Sequence, residues 1–501
     1  MMPNLKNSFL LSLTILFLSI PITSYAKKPL RDTSFKNAQT TSKFYESMFD
    51  GKKQNKALLH LFFNTMPKGG DLHHHYSGSL YAETYLEWVA QKGWLIDTCT
   101  LTIVKRSQKN ECELLSVKDL MGKPKLYRKL LSLWSDKDYG KYIHRQPPPD
   151  SNFFNTFFYF EPISHAYISL GLEILKKRAI YENLSYIETM LSRVGVRSSN
   201  YFDANSSKTY NQRLRAATSQ EEVDSLLDKI VNRYSHDKRF STSIEHYVNE
   251  LQKSHNAIDD ANFTMRYQTY AVRVLNPLQV FTDLFSGYEA ALKSSLIVGV
   301  NIVAPENNAV ALSDYTLHMR MYNYLARRSP SVHRALHAGE LTLGMVRPKN
   351  LTFHIQHARD IAKAQRIGHG VDLSYEEHPL KLLEDLKKNA AIEINFTSNE
   401  FILGVKDEHH PYLIYATYGV PLIISTDDSG VSRNNLTNEY LLLATRYHPS
   451  YERIKAYVYN SIKYAFLETS KKEQLVRDLD KRFMVFEKKM AALSKTLGAV
   501  E

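Results

Sequence analysis

Thiols are nearly absent from this chain: among 501 residues only Cys99 and Cys112 occur. Two cysteines cannot build a disulfide-dense scaffold, and a Cys-coordinated zinc site would ordinarily need more. Gly and Pro are sparse as well, at 19 and 17 residues, which excludes a fibrous or low-complexity chain. Long apolar runs are also missing. A mean hydropathy of -0.36 is too polar for a polytopic membrane protein. The apolar run at residues 9–20 is shorter than the roughly 20 residues that a membrane span requires. What is plentiful is core-forming material, 43% hydrophobic and 12% aromatic, which excludes wholesale disorder. The length permits several ordinary domains or one large barrel with additions.

Basic residues outnumber acidic ones, 64 to 52, giving a net charge of +12. Such a surface attracts polyanions. At residues 381–388 and 471–482, however, bases alternate with acids as on solvated helix faces, and no specific nucleic-acid groove is expected. Lys6, the short apolar run, Pro21 and then Ser24-Tyr25-Ala26 ahead of Lys27 and Lys28 are the parts of a secretory signal peptide covering residues 1–26. The expectation is export, to the periplasm or beyond, with no span after cleavage; an uncleaved anchor is the alternative. In an oxidising compartment Cys99 and Cys112 are expected to form a disulfide, worth on the order of 3 kcal/mol.

Residues 27–64 read as a helical extension. Beyond them come eight segments that look like buried strands, at 70–75, 184–190, 263–272, 296–303, 335–340, 366–371, 390–396 and 420–426. Several are near-continuous apolar runs, as expected when both faces of a parallel sheet are covered. Helical patterns lie between many of them, so a (β/α)8 TIM barrel is expected over residues 65–501; an open doubly wound sheet is the other reading. The gap between the first two strands is far longer than an ordinary connection. It holds both cysteines and is expected to contain an inserted subdomain at about 93–145.

Four polar clusters close four of these strands: Asp71-Leu72-His73-His74-His75, His337-Ala338-Gly339-Glu340, Arg366-Ile367-Gly368-His369-Gly370 and Ser425-Thr426-Asp427-Asp428. In an extended strand His73 and His75 share a face about 7 Å apart at their backbones, so both imidazoles can approach one metal. Each cluster alone has a bland reading: a histidine satisfied by a carbonyl, a helix-starting Glu340, or Asp427 as an N-cap. Together they sit where a barrel assembles its active site, at the carboxyl ends of its strands. Three imidazoles and a carboxylate without thiolates suit Zn2+ or another borderline divalent ion, and such a centre favours hydrolysis.

With Met66-Pro67-Lys68-Gly69-Gly70 leading into the first cluster, the ordered set resembles the adenosine deaminase family of the amidohydrolase superfamily over roughly residues 66–470. The leader, the extension and the cysteine-bearing insertion are most similar to the secreted adenosine deaminase growth factor subfamily. The resemblance implies one zinc ion held by His73, His75, His337 and Asp427. It implies that Glu340 protonates the purine N1 as C6 is attacked, and that His369 orients or deprotonates the attacking water. Asp428 would bind the purine at N7. Adenosine, and with it 2'-deoxyadenosine, would become inosine or deoxyinosine plus ammonia. A homodimer through the N-terminal extension is implied as well, although an apolar helical extension can equally cover its own barrel.

The chain departs from the family pattern on the ribose side. Ser77, followed by Gly78, stands where the cytosolic enzymes carry a ribose-binding Asp. Ala304, in Val303-Ala304-Pro305-Glu306, stands where they have a Gly that approaches the purine, which narrows the space. Glu188 either lines the ribose pocket or pairs with a basic neighbour. Two other functions remain open: deamination of another 6-aminopurine such as a nucleotide, and a mainly polyanion- or receptor-binding role. Base-editing cytidine deaminase chemistry is excluded, because its His-x-Glu and Pro-Cys-x-x-Cys ligand set is absent.

Overall fold

The computed structural model describes residues 28–49, 54–105, 111–141 and 147–499. The leader expected at 1–26 lies outside the described residues. Eleven strands follow in chain order. They are β1 (Gly69–His75), β2 (Leu95–Asp97), β3 (Ile103–Val104), β4 (Leu114–Leu115), β5 (Leu184–Ser192) and β6 (Thr264–Val272), then β7 (Ile297–Val303), β8 (His333–Ala338), β9 (Arg366–His369), β10 (Ala391–Ile394) and β11 (Leu422–Ile424). Eight of them pair in parallel in the order β1-β5-β6-β7-β8-β9-β10-β11. The ring comes together between β11 and β1, where His74 bridges Asp427 and the Asp427 N–H donates to the His73 carbonyl at 2.8 Å. The closure therefore runs through the polar clusters themselves. With helices surrounding it, the sheet is a (β/α)8 barrel, as expected.

All eight expected strands are present, with ends shifted by one or two residues. Glu340, placed in the fifth by its apolar lead-in, lies past β8, because Gly339 takes a left-handed φ of +75° and turns the chain. Phe396 likewise starts a helix, Phe396–Leu403, instead of ending β10. β5 is buried along nearly its whole length, so its polar members such as Glu188 must find partners inside the protein.

Between β1 and β5, strands β2, β3 and β4 form a separate antiparallel sheet. Cys99 and Cys112 are disulfide-bonded across it. Asp97 Oδ1 accepts the Cys99 and Thr100 N–H groups at 2.8 and 3.0 Å, which sets the turn, and Trp134 Nε1 donates to the Leu101 carbonyl at 3.0 Å. The chain then re-enters through the aromatic helix Pro149–Ser164.

The N-terminal extension is helical, Lys28–Ser47 and Lys56–Thr65, the second capped by the Asn55 side chain. It packs on its own chain. Thr41 Oγ1 donates to the Glu487 carbonyl at 3.1 Å, and the Phe62 ring lies 5.6 Å from Tyr45 and 5.0 Å from Phe486. Its apolar face thus covers the barrel and the C-terminal helix Thr469–Thr496. Among the described residues no helix is long and apolar enough to cross a membrane.

Candidate active site

The carboxyl ends of β1, β8, β9 and β11 deliver the four clusters to one point. His75 Nε2 lies 3.1 Å from His337 Nε2 and 3.2 Å from Asp427 Oδ1, which is itself 3.4 Å from His73 Nε2. Ligand atoms of His73, His337, His369 and Asp427 all lie within 4.8 Å of one another. His73 Nε2 is buried and makes no hydrogen bond. Orphaned, converging nitrogen lone pairs beside a carboxylate are what a divalent cation satisfies, so the residues present fit a zinc ion. Asp427 and His369 hold left-handed φ values of +59° and +70°, strain that commonly accompanies function. Gly368 has no side chain because a Cβ there would meet His73 Cε1 at 2.5 Å. His74, the middle histidine of its run, points away and bonds Thr189 Oγ1 at 2.9 Å.

Behind the ligands runs a fully buried polar circuit that the sequence did not disclose. His73 Nδ1 donates to Glu393 Oε2 at 2.8 Å, and Arg366 bridges Glu393 Oε1 at 2.6 Å and Glu188 Oε2 at 2.5 Å. Glu188 thus pairs with a basic neighbour and is no part of the pocket lining. Gln268 Nε2 also donates to Glu188 Oε2, at 3.3 Å. Its oxygen accepts from Asn301 Nδ2 at 3.1 Å, and Asn301 Oδ1 faces His337 Nδ1 at 2.9 Å. The backbone N–H of Ile302 donates to that same Asn301 oxygen, so His337 Nδ1 is the donor and Nε2 presents its lone pair to the centre.

Glu340 faces the centre from the β8 turn. Burial raises its carboxyl well above the ordinary range, and the Asp427 and Glu306 carboxylates add to the shift. The turn is held from behind: Glu306 accepts the Gly339 and Glu340 N–H groups at 3.1 and 3.0 Å. Burial alone would raise Glu306, yet Arg273 and His354 outweigh it and bring it down to about 2. Burial pushes His369 down to about 3, leaving a neutral imidazole. Asp428 is pushed well up, by burial first and Asp427 second. Gly78 makes room for it, since a Cβ there would collide with Asp428 Oδ1.

Residues 235–482 match the family model described as adenosine deaminase. This stretch is similar to the adenosine deaminase domain. Curated relatives include the adenosine deaminases of Enterococcus faecalis, 32% identical over 31% of this chain and 43% of the relative, and Clostridium perfringens, 29% identical over 38% and 54%. The chain thus spans about half the length of the curated relatives it matches. In fold it is similar to the N6-methyl-AMP deaminase of Arabidopsis thaliana (TM-score 0.53, 18% identity, 84% of this chain and 98% of that one). It is also similar to an amidohydrolase from Burkholderia ambifaria with bound zinc (TM-score 0.53, 13% identity, 89% and 97%). The matched stretch holds His337, Glu340, His369, Asp427 and Asp428. His73, His75 and Ser77 precede it and are brought to the same site by the geometry.

The cavity over this centre has a volume of about 370 Å3. Beyond the polar floor its lining is Ser77, Tyr270, Val272, Val303, Ala304, Pro305 and three phenylalanines, Phe153, Phe154 and Phe157. Asp428, Ser77 and Ala304, expected on the substrate side, all line this cavity, while the aromatic wall was missed. Its Phe-rich run was visible in the sequence, but nothing there aimed it at the site. Ala304 holds a φ of +86° in the left-handed region, where the glycine of related enzymes would be unstrained. A larger cavity of about 640 Å3 lies elsewhere, at the opposite ends of β7 and β8, and holds none of these residues.

Proposed function

We propose that the chain is an exported, zinc-dependent deaminase of adenosine and 2'-deoxyadenosine, releasing ammonia and inosine or deoxyinosine. The observation that carries the reading is the convergence of His73, His75, His337 and Asp427 beside a Glu340 whose carboxyl burial pushes well up. A zinc ion bound there would supply a Lewis acid that lowers the pKa of a water toward about 7. Glu340 donates its proton to N1, which removes the aromatic resistance to attack at C6. The C6–oxygen bond forms, the C6–amine bond breaks, and the amine leaves as ammonia with water's second proton, while the equivalent of water's first proton, released to solvent, restores the Glu340 acid. Asp428, neutral because its carboxyl is pushed up, donates a hydrogen bond to N7, an acceptor. Apolar side chains of Val272, Val303 and the Phe cluster flank the reacting edge.

The lining includes no Lys or Arg. A nucleotide phosphate would find no cationic partner, which favours a nucleoside over a nucleotide. The polyanion-binding reading gains nothing from a pocket whose reacting positions are all filled. Export is supported by the leader pattern and by the Cys99–Cys112 disulfide, which belongs in an oxidising compartment such as the periplasm. The disulfide-bearing insertion and the helical extension support a place near the secreted growth factor subfamily.

The test is loss of the ultraviolet absorbance of adenosine, deoxyadenosine, AMP and adenine, with and without a chelator. Turnover of both nucleosides, little of AMP, and loss of activity on chelation are expected. No turnover with metal bound at full occupancy overturns the reading.

A further inference from the structure

Orienting the attacking oxygen and deprotonating it require opposite tautomers of His369. As a base, Nε2 must present a lone pair; as a donor, it must carry the proton. The ring's surroundings decide between them. The Tyr412 backbone N–H, which can only donate, lies 3.1 Å from His410 Nδ1. His410 is therefore neutral with its proton on Nε2, which lies 3.1 Å from Asn399 Oδ1. With its oxygen accepting from His410, Asn399 presents its amide nitrogen to His369 Nδ1 at 2.9 Å. That nitrogen can only donate, so His369 Nδ1 accepts and the proton sits on Nε2. Flipping the Asn399 amide would set its NH2 group against the His410 N–H. All three side chains are buried, so water does not stand in for a misdirected bond.

We propose that Asn399 and His410 are positioning residues that hold His369 with its proton on Nε2, so that it donates a hydrogen bond to the oxygen attacking C6 and is not the base. The identity of that oxygen rests on the deaminase reading above. His369 keeps its proton throughout; the nucleophile has lost its own to solvent before the attack. Neither residue lines the cavity, and neither carries a role from the family resemblance.

Ring nitrogen-15 NMR of the metal-free protein reads the tautomer without reference to turnover. Wild-type His369 is expected as the Nε2–H form. His410→Glu supplies a carboxylate that can only accept, which reverses the chain and yields the Nδ1–H form. Its kcat/KM for adenosine should fall by about 100-fold or more, and that of His410→Leu, which frees the Asn399 amide, by about tenfold. His410→Gln can still donate to Asn399 and should stay within about threefold of wild type. An Nδ1–H form in wild type, or a reversed tautomer with undiminished kcat/KM, overturns the proposal. Should His410→Glu not fold, indistinguishable tautomers and kcat/KM in the Leu and Gln variants overturn it. A wild type that turns over no adenosine sinks the deaminase reading instead, while the NMR result still decides the tautomer.

Discussion

The inner wall of the pocket and its outer wall are held by different forces. On the inner side, His73 and His337 are tied by hydrogen bonds to Glu393 and Asn301, and those in turn to Arg366, Gln268 and Glu188. On the outer side, Phe153, Phe154 and Phe157 come from a helix outside the barrel sheet and rest on apolar and ring contacts. A hydrogen-bond circuit fixes angle and tautomer, whereas apolar contact fixes little beyond shape. The groups able to do chemistry therefore stand at the strand ends, while the added helix contributes shape to the cavity.

The largest way to break this contrast is Glu340→Gln, which keeps the shape of the inner wall and removes its acid. Turnover of adenosine should fall by about 10³-fold or more while zinc content is unchanged; retained turnover would move the acid elsewhere. Because burial raises the folded-state pKa of Glu340, its stabilising contribution is present below the ordinary carboxyl pKa and is lost as pH rises through the raised value. The Gln variant should accordingly melt higher than wild type at alkaline pH and show a smaller advantage near pH 5. Gln268→Leu comes next: it cuts the circuit behind His337 without touching the centre. Zinc affinity, measured by chelator competition, should drop by about 10- to 100-fold, with turnover recovering at saturating zinc. An unchanged affinity would make the circuit mere packing.

The contrast also explains what could be read in advance. The eight barrel strands were legible because burial on both faces leaves short, mostly apolar segments, as in β7 and β11. His73, His75, His337, His369, Asp427 and Asp428 were legible because a strand end is a fixed address in a barrel. The circuit was not, since Gln268, Asn301 and Arg366 are far apart in the chain and neutral amides carry no periodicity. Glu188 shows the limit well: its strand was clear, yet only the placement of Arg366 decides whether it faces substrate or a partner. Nor could spacing show that the Phe-rich helix lines the pocket, because its position depends on packing against helices distant in the chain, such as Phe396–Leu403.

A smaller effect tests the outer wall. Phe154→Ala should raise KM for adenosine by about tenfold, equivalent to roughly 1.4 kcal/mol of apolar contact, and leave kcat nearly unchanged. A fall in kcat at constant KM would show that the outer wall shapes the reacting end after all.

The smallest effect is expected at Ala304, where the two walls meet. Its φ of +86° costs about 1 kcal/mol for a residue with a Cβ, and glycine would relieve that strain. Glycine also gives the unfolded chain more freedom, which offsets about 0.5–1 kcal/mol of the gain. The melting temperature of Ala304→Gly should therefore stay within about 3 °C of wild type. Removing the Cβ widens the pocket on the purine side, so KM should shift by no more than about threefold, since one methyl group is worth under about 1 kcal/mol. A drop of many degrees would mean that the Ala304 methyl packs the pocket more tightly than its strain costs. The chain's departure from glycine would then be a device of fit.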